Sequence, residues 1–377
     1  MKFLHLSDLH IGKRVNEFSM IEDQNHILQQ IIDIVEKEKP QAVVIAGDVY
    51  DKSIPSVEAV TLFDKFLTRL SALKIAILIV SGNHDSADRL DYGGRIMEHN
   101  NIHIAGVFGG EVKHIELQDE YGAIDFYLLP FIKPAIVTPY FPEVDSYQDA
   151  LEAVIEATPI DVLKRNVLVA HQFIISGGER PERSESELES LGGMDQIDAS
   201  VFKDFDYVAL GHLHGPQRIG RDTIRYAGSP LKYSFSEVKQ RKSVTMVTLS
   251  EKGKVSYELL PLHPIRDMRE VEGEINQLVD LKNYTTDYIH VTLTDEENLV
   301  DPMGRLRVVY PNIMKLDFRN SRTAVKEHSK MAAKDVKSKT PLQLFNEFYE
   351  MQNNQPMNDQ ELSIMTKLLE GLAGDKV

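Results

Sequence analysis

Five stretches of this chain end in side chains able to hold a divalent cation: Asp8-Leu9-His10, Gly47-Asp48-Val49-Tyr50-Asp51, Gly82-Asn83-His84-Asp85, His171, and Gly211-His212-Leu213-His214. With no cysteine in the sequence, thiolate nucleophiles and thiolate ligands are excluded. A mixed carboxylate, amide and imidazole set suits manganese, iron or zinc in a reactive centre better than a structural zinc site. Magnesium usually prefers oxygen ligands alone. The donors suffice for two ions, which a shared carboxylate must bridge if they are to sit roughly 3.5–4 Å apart. Asp48, the carboxylate on a central strand, is the expected bridge. Two such ions lower the pKa of a bound water and neutralise charge on phosphorus-bound oxygens during in-line attack, the chemistry of phosphate-ester hydrolysis. The leaving oxygen then needs a proton, and His84, next to a ligand on the same loop, is the expected general acid.

Taken singly, each stretch has a plainer reading. Asp8-Leu9-His10 reads as a loop, Gly82-Asn83 as a tight turn, His212 with His214 as a surface pair, and His84 as a structural histidine. Jointly those readings leave unexplained why every apolar strand stops at an Asp, Asn or His. Gly47, Gly82 and Gly211 also leave room for close backbone approach.

The elements that must position these residues follow from hydrophobic period. Lys2 to Ser7, Ala42 to Ala46, Ile75 to Val80, Val167 to Ala170 and Tyr207 to Leu210 read as strands. Two amphipathic helices lie between the first three. One is expected to open with a capping box at Ser19 and Glu22, to carry Ile27, Leu28, Ile31, Ile32 and Val35, and to stop at Pro40. The other opens at Pro55 with Val57, Val60, Phe63, Phe66, Leu67 and Leu70 in one stripe. The alternation predicts an α/β sheet covered on both faces, its ligands gathered along one edge at the carboxyl ends of the strands. Tyr226 to Ser229, Ser243 to Leu249 and Lys254 to Leu260 read as a closing antiparallel edge. The segment from Gly177 to Ser190, rich in Ser, Glu and Arg, reads as an exposed mobile loop.

At 377 residues the chain is long enough for two or three units. Residues 1–262 form the expected catalytic domain and 263–318 a small αβ module. A basic linker over 319–340 and a helical tail over 341–377 follow. The tail carries two apolar helical patterns, one with Leu342, Leu344, Phe345, Phe348 and Tyr349, the other with Leu362, Met365, Leu368, Leu369 and Leu372. It has too little core to stand alone and is expected to dock on something else. The N-terminus meets polar residues too early for a signal peptide, and no apolar run reaches about 18 residues, so a cytoplasmic protein is expected. A formal charge of −16 repels nucleic acid, although screening confines the repulsion to about 8 Å at physiological salt. Contact with DNA therefore needs local cations, metal ions or a partner. Lys13, Arg14, Arg89, Arg95, Lys232, Arg241 and Lys242 stand near strand-end loops and are the candidates, alongside the basic linker.

The order Asp-x-His, Gly-Asp-x-x-Asp, Gly-Asn-His-Asp, His, Gly-His-x-His resembles that of the calcineurin-like metallophosphoesterase superfamily. More narrowly, His5 to Gly12, Ala46 to Asp51, His171-Gln172-Phe173, Gly211 to His214, Tyr226 to Pro230 and Ser234 to Glu237 resemble the SbcD family. Its members are the nuclease subunits of bacterial complexes, related to the archaeal and eukaryotic double-strand-break repair nuclease. The resemblance implies a two-sheet sandwich flanked by helices, with an αβ capping domain and a C-terminal helical pair. It places Asp8, His10, Asp48 and His214 on one manganese ion, and Asp48, Asn83, His171 and His212 on the other. It implies a manganese-dependent exonuclease on double strands and endonuclease on single strands and hairpins, working in the nucleoid with a coiled-coil ABC ATPase of the SbcC type. ATP use falls to that partner, since no Gly-x-x-x-x-Gly-Lys-[Ser/Thr] segment occurs here. A homodimer within a heterotetramer is also implied, packed near Phe63, Phe66, Leu90 and Ile96, residues that read equally well as ordinary core. In one respect the chain departs from the pattern. Archaeal and eukaryotic relatives carry histidine at the position of Asp51, so that histidine's role does not transfer. Asp51 is left to orient a ligand or His84, or to cap its loop. The alternative activity is a phosphoesterase acting on a nucleotide or phosphoprotein.

Overall fold

The computed structural model describes residues 1–178, 180–187, 195–320, 342–346, 349, 357, 361–362, 364–365 and 368. The chain divides into two compact units. One comprises Met1–Val271, Tyr284–His290 and Tyr310–Lys315, the other Glu272–Asn283, Val291–Val309 and Leu316–Val377.

The larger unit contains two six-stranded sheets. In spatial order the first runs Val255–Pro261, Ser243–Leu249, Lys2–Leu6, Ala42–Ala46, Ala76–Val80 and Ile102–Ala105. The second runs Gln217–Ile219, Arg221–Tyr226, Tyr207–Gly211, Arg165–His171, Gly122–Leu129 and Lys113–Asp119. In the first sheet Lys2–Leu6, Ala42–Ala46, Ala76–Val80 and Ile102–Ala105 are mutually parallel, so their carboxyl ends share one edge. In the second, Tyr207–Gly211 is parallel to Arg165–His171, with Gly211 opposite His171.

The expected single sheet covered by helices on both faces is corrected here to the sandwich that the resemblance implied. Phe3, Val44, Ala46, Leu78 and Val80 of the first sheet pack with Phe126, Leu128, Val167, Val169, Tyr207 and Ala209 of the second in one buried layer. Helices cover only the outer faces. Ile21–Glu38 and Val57–Ala72 bury Ile27, Ile31, Val35, Phe63, Phe66 and Leu70 against the first sheet. Tyr147–Ala157 buries Leu151 and Val154 against the second. Each fully buried Ile, Leu or Phe contributes about 1.5–3 kcal/mol of transfer free energy. The three layers therefore hold the strand ends firmly.

Several local expectations are corrected. Ser19 forms no capping box, because Met20 is the N-cap residue and no side chain caps it. The box forms instead at Ser146 and Asp149, where each side chain receives the other's backbone N–H. Val57 and Val60 lie at the exposed start of their helix, and Ala59 and Leu62 take the buried positions. Only Tyr226 of the predicted strand from Tyr226 to Ser229 is extended in the sheet. Phe63, Phe66 and Leu90 are core residues, which leaves Ile96 alone of the four named for self-association exposed.

In the smaller unit, the Asp295 carboxylate accepts from Ile275 N at 2.9 Å to start the helix Ile275–Leu278. Asp301 caps Pro302–Arg307 with proline in its first turn. Ile275, Val291, Leu293, Leu306 and Val309 are buried. The strands Met268–Gly273, Tyr288–Leu293 and Ile313–Phe318, each of which begins among residues of the larger unit, form a three-stranded sheet. Apart from Arg319 and Asn320, the basic stretch to residue 340 lies outside the described residues, as do Phe348, Leu369 and Leu372 of the tail. Residues 342–346 are helical, and the Tyr349 hydroxyl donates to Glu361 at 2.8 Å. Among the described residues no helix is long and apolar enough to cross a membrane.

Candidate metal centre

The ligands expected at one edge of one sheet come instead from both sheets, whose carboxyl strand ends meet. Asp8, Asp48 and Asn83 follow strands of the first sheet, and His171, His212 and His214 end or follow strands of the second. Asp8, His10, Asp48 and His212 all adopt positive φ, at 52°, 43°, 51° and 117°. Such conformations cost of order 1–3 kcal/mol each for non-glycine residues and persist where the surroundings over-determine them. A Cβ on Gly82 would overlap Asp48 Oδ1, and one on Gly211 would overlap the Ala46 carbonyl, so both close approaches demand glycine.

All seven expected ligands converge. Asp48 Oδ2 lies 3.3 Å from His171 Nε2 and 3.6 Å from His10 Nε2, between the two histidines. His10 Nε2 and His214 Nε2 face each other at 3.1 Å. Asn83 Oδ1 lies 3.0 Å from His171 Nε2 and 3.1 Å from His212 Nδ1. Asp8, His10 and His214 form one potential ligand group, and Asp8, Asp48 and His171 another. Ligand-to-ligand edges of about 3.0–3.4 Å are expected for metal–ligand bonds of about 2.1 Å in octahedral or tetrahedral sites.

His171 Nδ1 donates to the Ala46 carbonyl at 2.8 Å, so its Nε2 points into the cluster. Burial works against charge on His171, but the Asp48 charge and hydrogen bond, assisted by Asp8, outweigh it and raise the imidazole to about 9. Burial would likewise raise Asp48, yet the His171 charge holds it well below the usual carboxylate range. Burial lifts Asp8 to about 6 against the pull of His171 and His214. It also lowers His212 to about 3, with His171 adding to the effect, and takes His10 well below its ordinary value. Neutral imidazoles and a carboxylate that has captured a proton-bearing histidine are the donor set a divalent cation fits, the cation taking that proton's place.

Around this centre the structure places residues to which sequence reasoning gave no role. The Asp85 carboxylate accepts from the backbone N–H groups of Val49, Tyr50 and Gly82 at 3.1, 2.9 and 2.9 Å, tying the Asp48 loop to the Asn83 loop. Gln24 Nε2 donates to the His10 carbonyl at 2.7 Å, and Tyr233 donates to the Leu9 carbonyl at 2.5 Å. Gln24 and Tyr233 hold the chain where His10 takes positive φ. Asp85 lies inside a quoted motif, but helix periodicity gives Gln24 no distinguishing signal.

His84 N donates to Asp48 Oδ1 at 2.9 Å, leaving Oδ2 for the centre. Its Nδ1 donates to the Asp51 backbone carbonyl at 3.0 Å, so Nε2 is the ring atom free to face a substrate. Asp51 thus orients His84 through its backbone. The Asp51 carboxylate pairs with Lys13 at 2.7 Å and lies 3.7 Å from His10 Nδ1.

The basic candidates separate. Lys13 and Arg14 line a groove of about 610 Å³ with Ser186, Tyr233, Lys239, His290 and Lys315. Arg89, Arg95 and Arg241 are exposed. Lys232 is held by Asp267 at 2.8 Å and by the Val238 carbonyl at 2.7 Å. Lys242 is buried and paired with Glu237, which corrects its reading as a surface cation. The expected mobile loop is anchored at Ser186 and Glu187, which hydrogen-bond His214.

The calcineurin-like phosphoesterase family model matches residues 1–216, and the Type 5 capsule protein repressor C-terminal domain model matches residues 264–353. The SbcD subunit of nuclease SbcCD from Staphylococcus epidermidis is 36% identical over 373 residues, covering 96% of this chain and 95% of that protein. Among solved structures, a dimetal phosphatase from Danio rerio matches 70% of this chain and 98% of its own, at 13% identity and a TM-score of 0.43. A protein from Thermus thermophilus matches 68% and 98%, at 12% identity and a TM-score of 0.40. The chain belongs to the calcineurin-like phosphoesterase family and, within it, to the SbcD family of nuclease subunits.

Proposed function

We propose that this calcineurin-like phosphoesterase is the manganese-dependent nuclease subunit of a DNA-end-processing complex. In this reading it is a 3′–5′ exonuclease on double strands and an endonuclease on single strands and hairpins, acting with an SbcC-type coiled-coil ABC ATPase in repair and recombination. Its place is the cytoplasm, on the nucleoid, as a homodimer within a heterotetramer. The substrate and partner rest on the 36% identity to a nuclease subunit across nearly the whole chain. The chemistry rests on one observation: Asp48 Oδ2 stands between His171 and His10, where a bridging carboxylate belongs.

Asp8, His10, Asp48 and His214 would hold one cation, and Asp48, Asn83, His171 and His212 the other. When bound, the two cations supply Lewis acidity toward the phosphoryl oxygens and a nucleophile at neutral pH. The chain does the rest. Asp85 and the His84 backbone fix Asp48. The positive-φ turns at Asp8 and His10 aim both side chains inward. His84, held at Nδ1 by the Asp51 carbonyl, delivers a proton from Nε2 to the departing oxygen. Lys13 and Arg14 are positioned to meet the phosphates of a strand entering their groove. Residues 1–262 are the nuclease domain in this reading, 263–318 the capping domain, 319–340 a basic linker and 341–377 the element that docks on the ATPase.

End-labelled duplex and hairpin DNA, incubated with Mn2+ and either the wild type or Asp48→Ala, tests the proposal. Cleavage that vanishes in the variant is expected. Turnover of a phosphopeptide or nucleotide, with no cleavage of DNA in the presence or absence of the ATPase, would replace the nuclease reading.

A further inference from the structure

The buried carboxylate of Glu237 has no role in the chemistry above, yet it lies behind a metal-binding histidine. It is fully buried, and its Oε1 accepts from the Ser186 hydroxyl at 2.6 Å. The same hydroxyl lies 2.8 Å from His214 Nδ1, and Glu237 Oε1 itself lies 3.3 Å from that nitrogen. On the far side Glu237 Oε2 accepts from Lys242 Nζ at 2.6 Å. Lys242, also buried, donates further to the His214 carbonyl, Ser229 Oγ and Gln240 Oε1 at 2.8, 2.9 and 2.7 Å. Glu187 receives the His214 backbone N–H at 2.7 Å. His214 is therefore gripped at its ring, its amide and its carbonyl.

The hydrogen-bond directions in this chain of contacts are determined. Lys242 can only donate, so the ion-paired Glu237 carboxylate accepts at Oε2 and has no proton to give at Oε1. The Ser186 hydroxyl must then give its proton to Glu237, which leaves its lone pairs for His214 Nδ1–H. That assignment protonates Nδ1 and turns an unprotonated Nε2 toward His10 Nε2, 3.1 Å away. Two buried, oppositely charged groups are costly to desolvate, and a function for one of them explains their retention better than stability does.

We propose that Glu237 is a positioning residue that fixes His214 as its Nδ1–H tautomer through Ser186 and thereby presents Nε2 to a divalent cation, with Lys242 as the counter-ion that keeps Glu237 ionised. The cation in this statement is the one assigned under the proposed function, whereas the tautomer can be measured without any metal. The loop carrying Ser186 thus completes the support of a ligand that lies 28 residues further along the chain.

The test uses the full chain and two variants. Ser186→Ala removes the relay hydroxyl and leaves both buried charges in place. Glu237→Leu/Lys242→Met removes both charges together, so neither is left unpaired. Nitrogen-15 spectra of the histidine rings in metal-free protein report the tautomer, and equilibrium dialysis against Mn2+ reports affinity. The wild type is expected to show a protonated Nδ1 and a bare Nε2 at His214. Both variants should shift His214 toward the other tautomer and weaken one of two Mn2+ sites by about 10–100-fold. A His214 tautomer unchanged in folded Ser186→Ala, with Mn2+ affinity at the wild-type level, overturns the proposal. A wild type that binds no Mn2+ defeats the metal-centre reading instead, and the ring spectra still decide whether Glu237 orients His214. Should the double variant fail to fold, Ser186→Ala alone decides.

Discussion

Replacing His84 with alanine tests the proposed separation of proton transfer from metal binding, because this residue meets the site by two different atoms. Its backbone N–H clamps Asp48 Oδ1 at 2.9 Å, and any substitution except proline keeps that contact. Its ring touches the rest of the site through one hydrogen bond to the Asp51 carbonyl and an edge-on contact with His10, ring centres 4.8 Å apart. Losing that hydrogen bond costs about 1 kcal/mol of stability, so the protein should stay folded and keep its metals. Losing a general acid costs about 10²–10⁴-fold in kcat, or about 3–5 kcal/mol of transition-state stabilisation. The assay compares two substrates in Mn2+. DNA has an alkoxide leaving group that needs the proton, whereas bis(p-nitrophenyl) phosphate releases a phenolate stable without one. His84→Ala should lose the full factor on DNA and well under tenfold on the nitrophenyl ester, with Mn2+ content unchanged by elemental analysis. Equal losses on both substrates, or a variant emptied of manganese, would refute the assignment of the ring as acid.

Other perturbations follow from the same geometry. His171 is raised from its ordinary 6.5 to about 9, so the stabilisation it gives metal-free protein is complete below pH 6.5 and disappears as pH climbs through 9. That rise corresponds to at most about 3 kcal/mol. Melting of chelator-treated protein should therefore fall between pH 6.5 and 9 and recover with Mn2+, and a melting temperature flat across that window would contradict the ion pair with Asp48. Gly82→Ala sets a methyl group on Asp48 Oδ1. It should cost most of the Mn2+ content seen by elemental analysis, and wild-type loading would show that the loop gives way. Lys13→Gln should raise KM for DNA with little change in kcat and flatten the salt dependence by about one phosphate contact. An unaltered salt slope would confine Lys13 to its pairing with Asp51.

Local sequence marked the seven side chains that the structure brings together and the strand ends at which they stand. That information is local. A buried run such as Ala42–Ala46 must stop where the chain turns polar, and the first polar residue there is Asp48, after a glycine. Helix faces were legible for the same reason, at Ile27, Ile31 and Phe66, because an amphipathic period needs no knowledge of the partner. Tertiary structure decided what those faces met. A strand buried on both sides reads the same under a helix as under another sheet. Hence the apolar pattern alone predicted one sheet where two meet, and the imidazoles of His171 and His212 reach Asn83 across the junction. Side-chain orientation also escaped local reading. The Ser19 box gave way to Met20 at the helix start, Lys242 went inside to meet Glu237, and Asp51 turned its carbonyl rather than its carboxylate to His84. Only the last of these depends on a partner distant in sequence, 33 residues away; the other two turn on near neighbours whose side chains the fold, and not their spacing, orients.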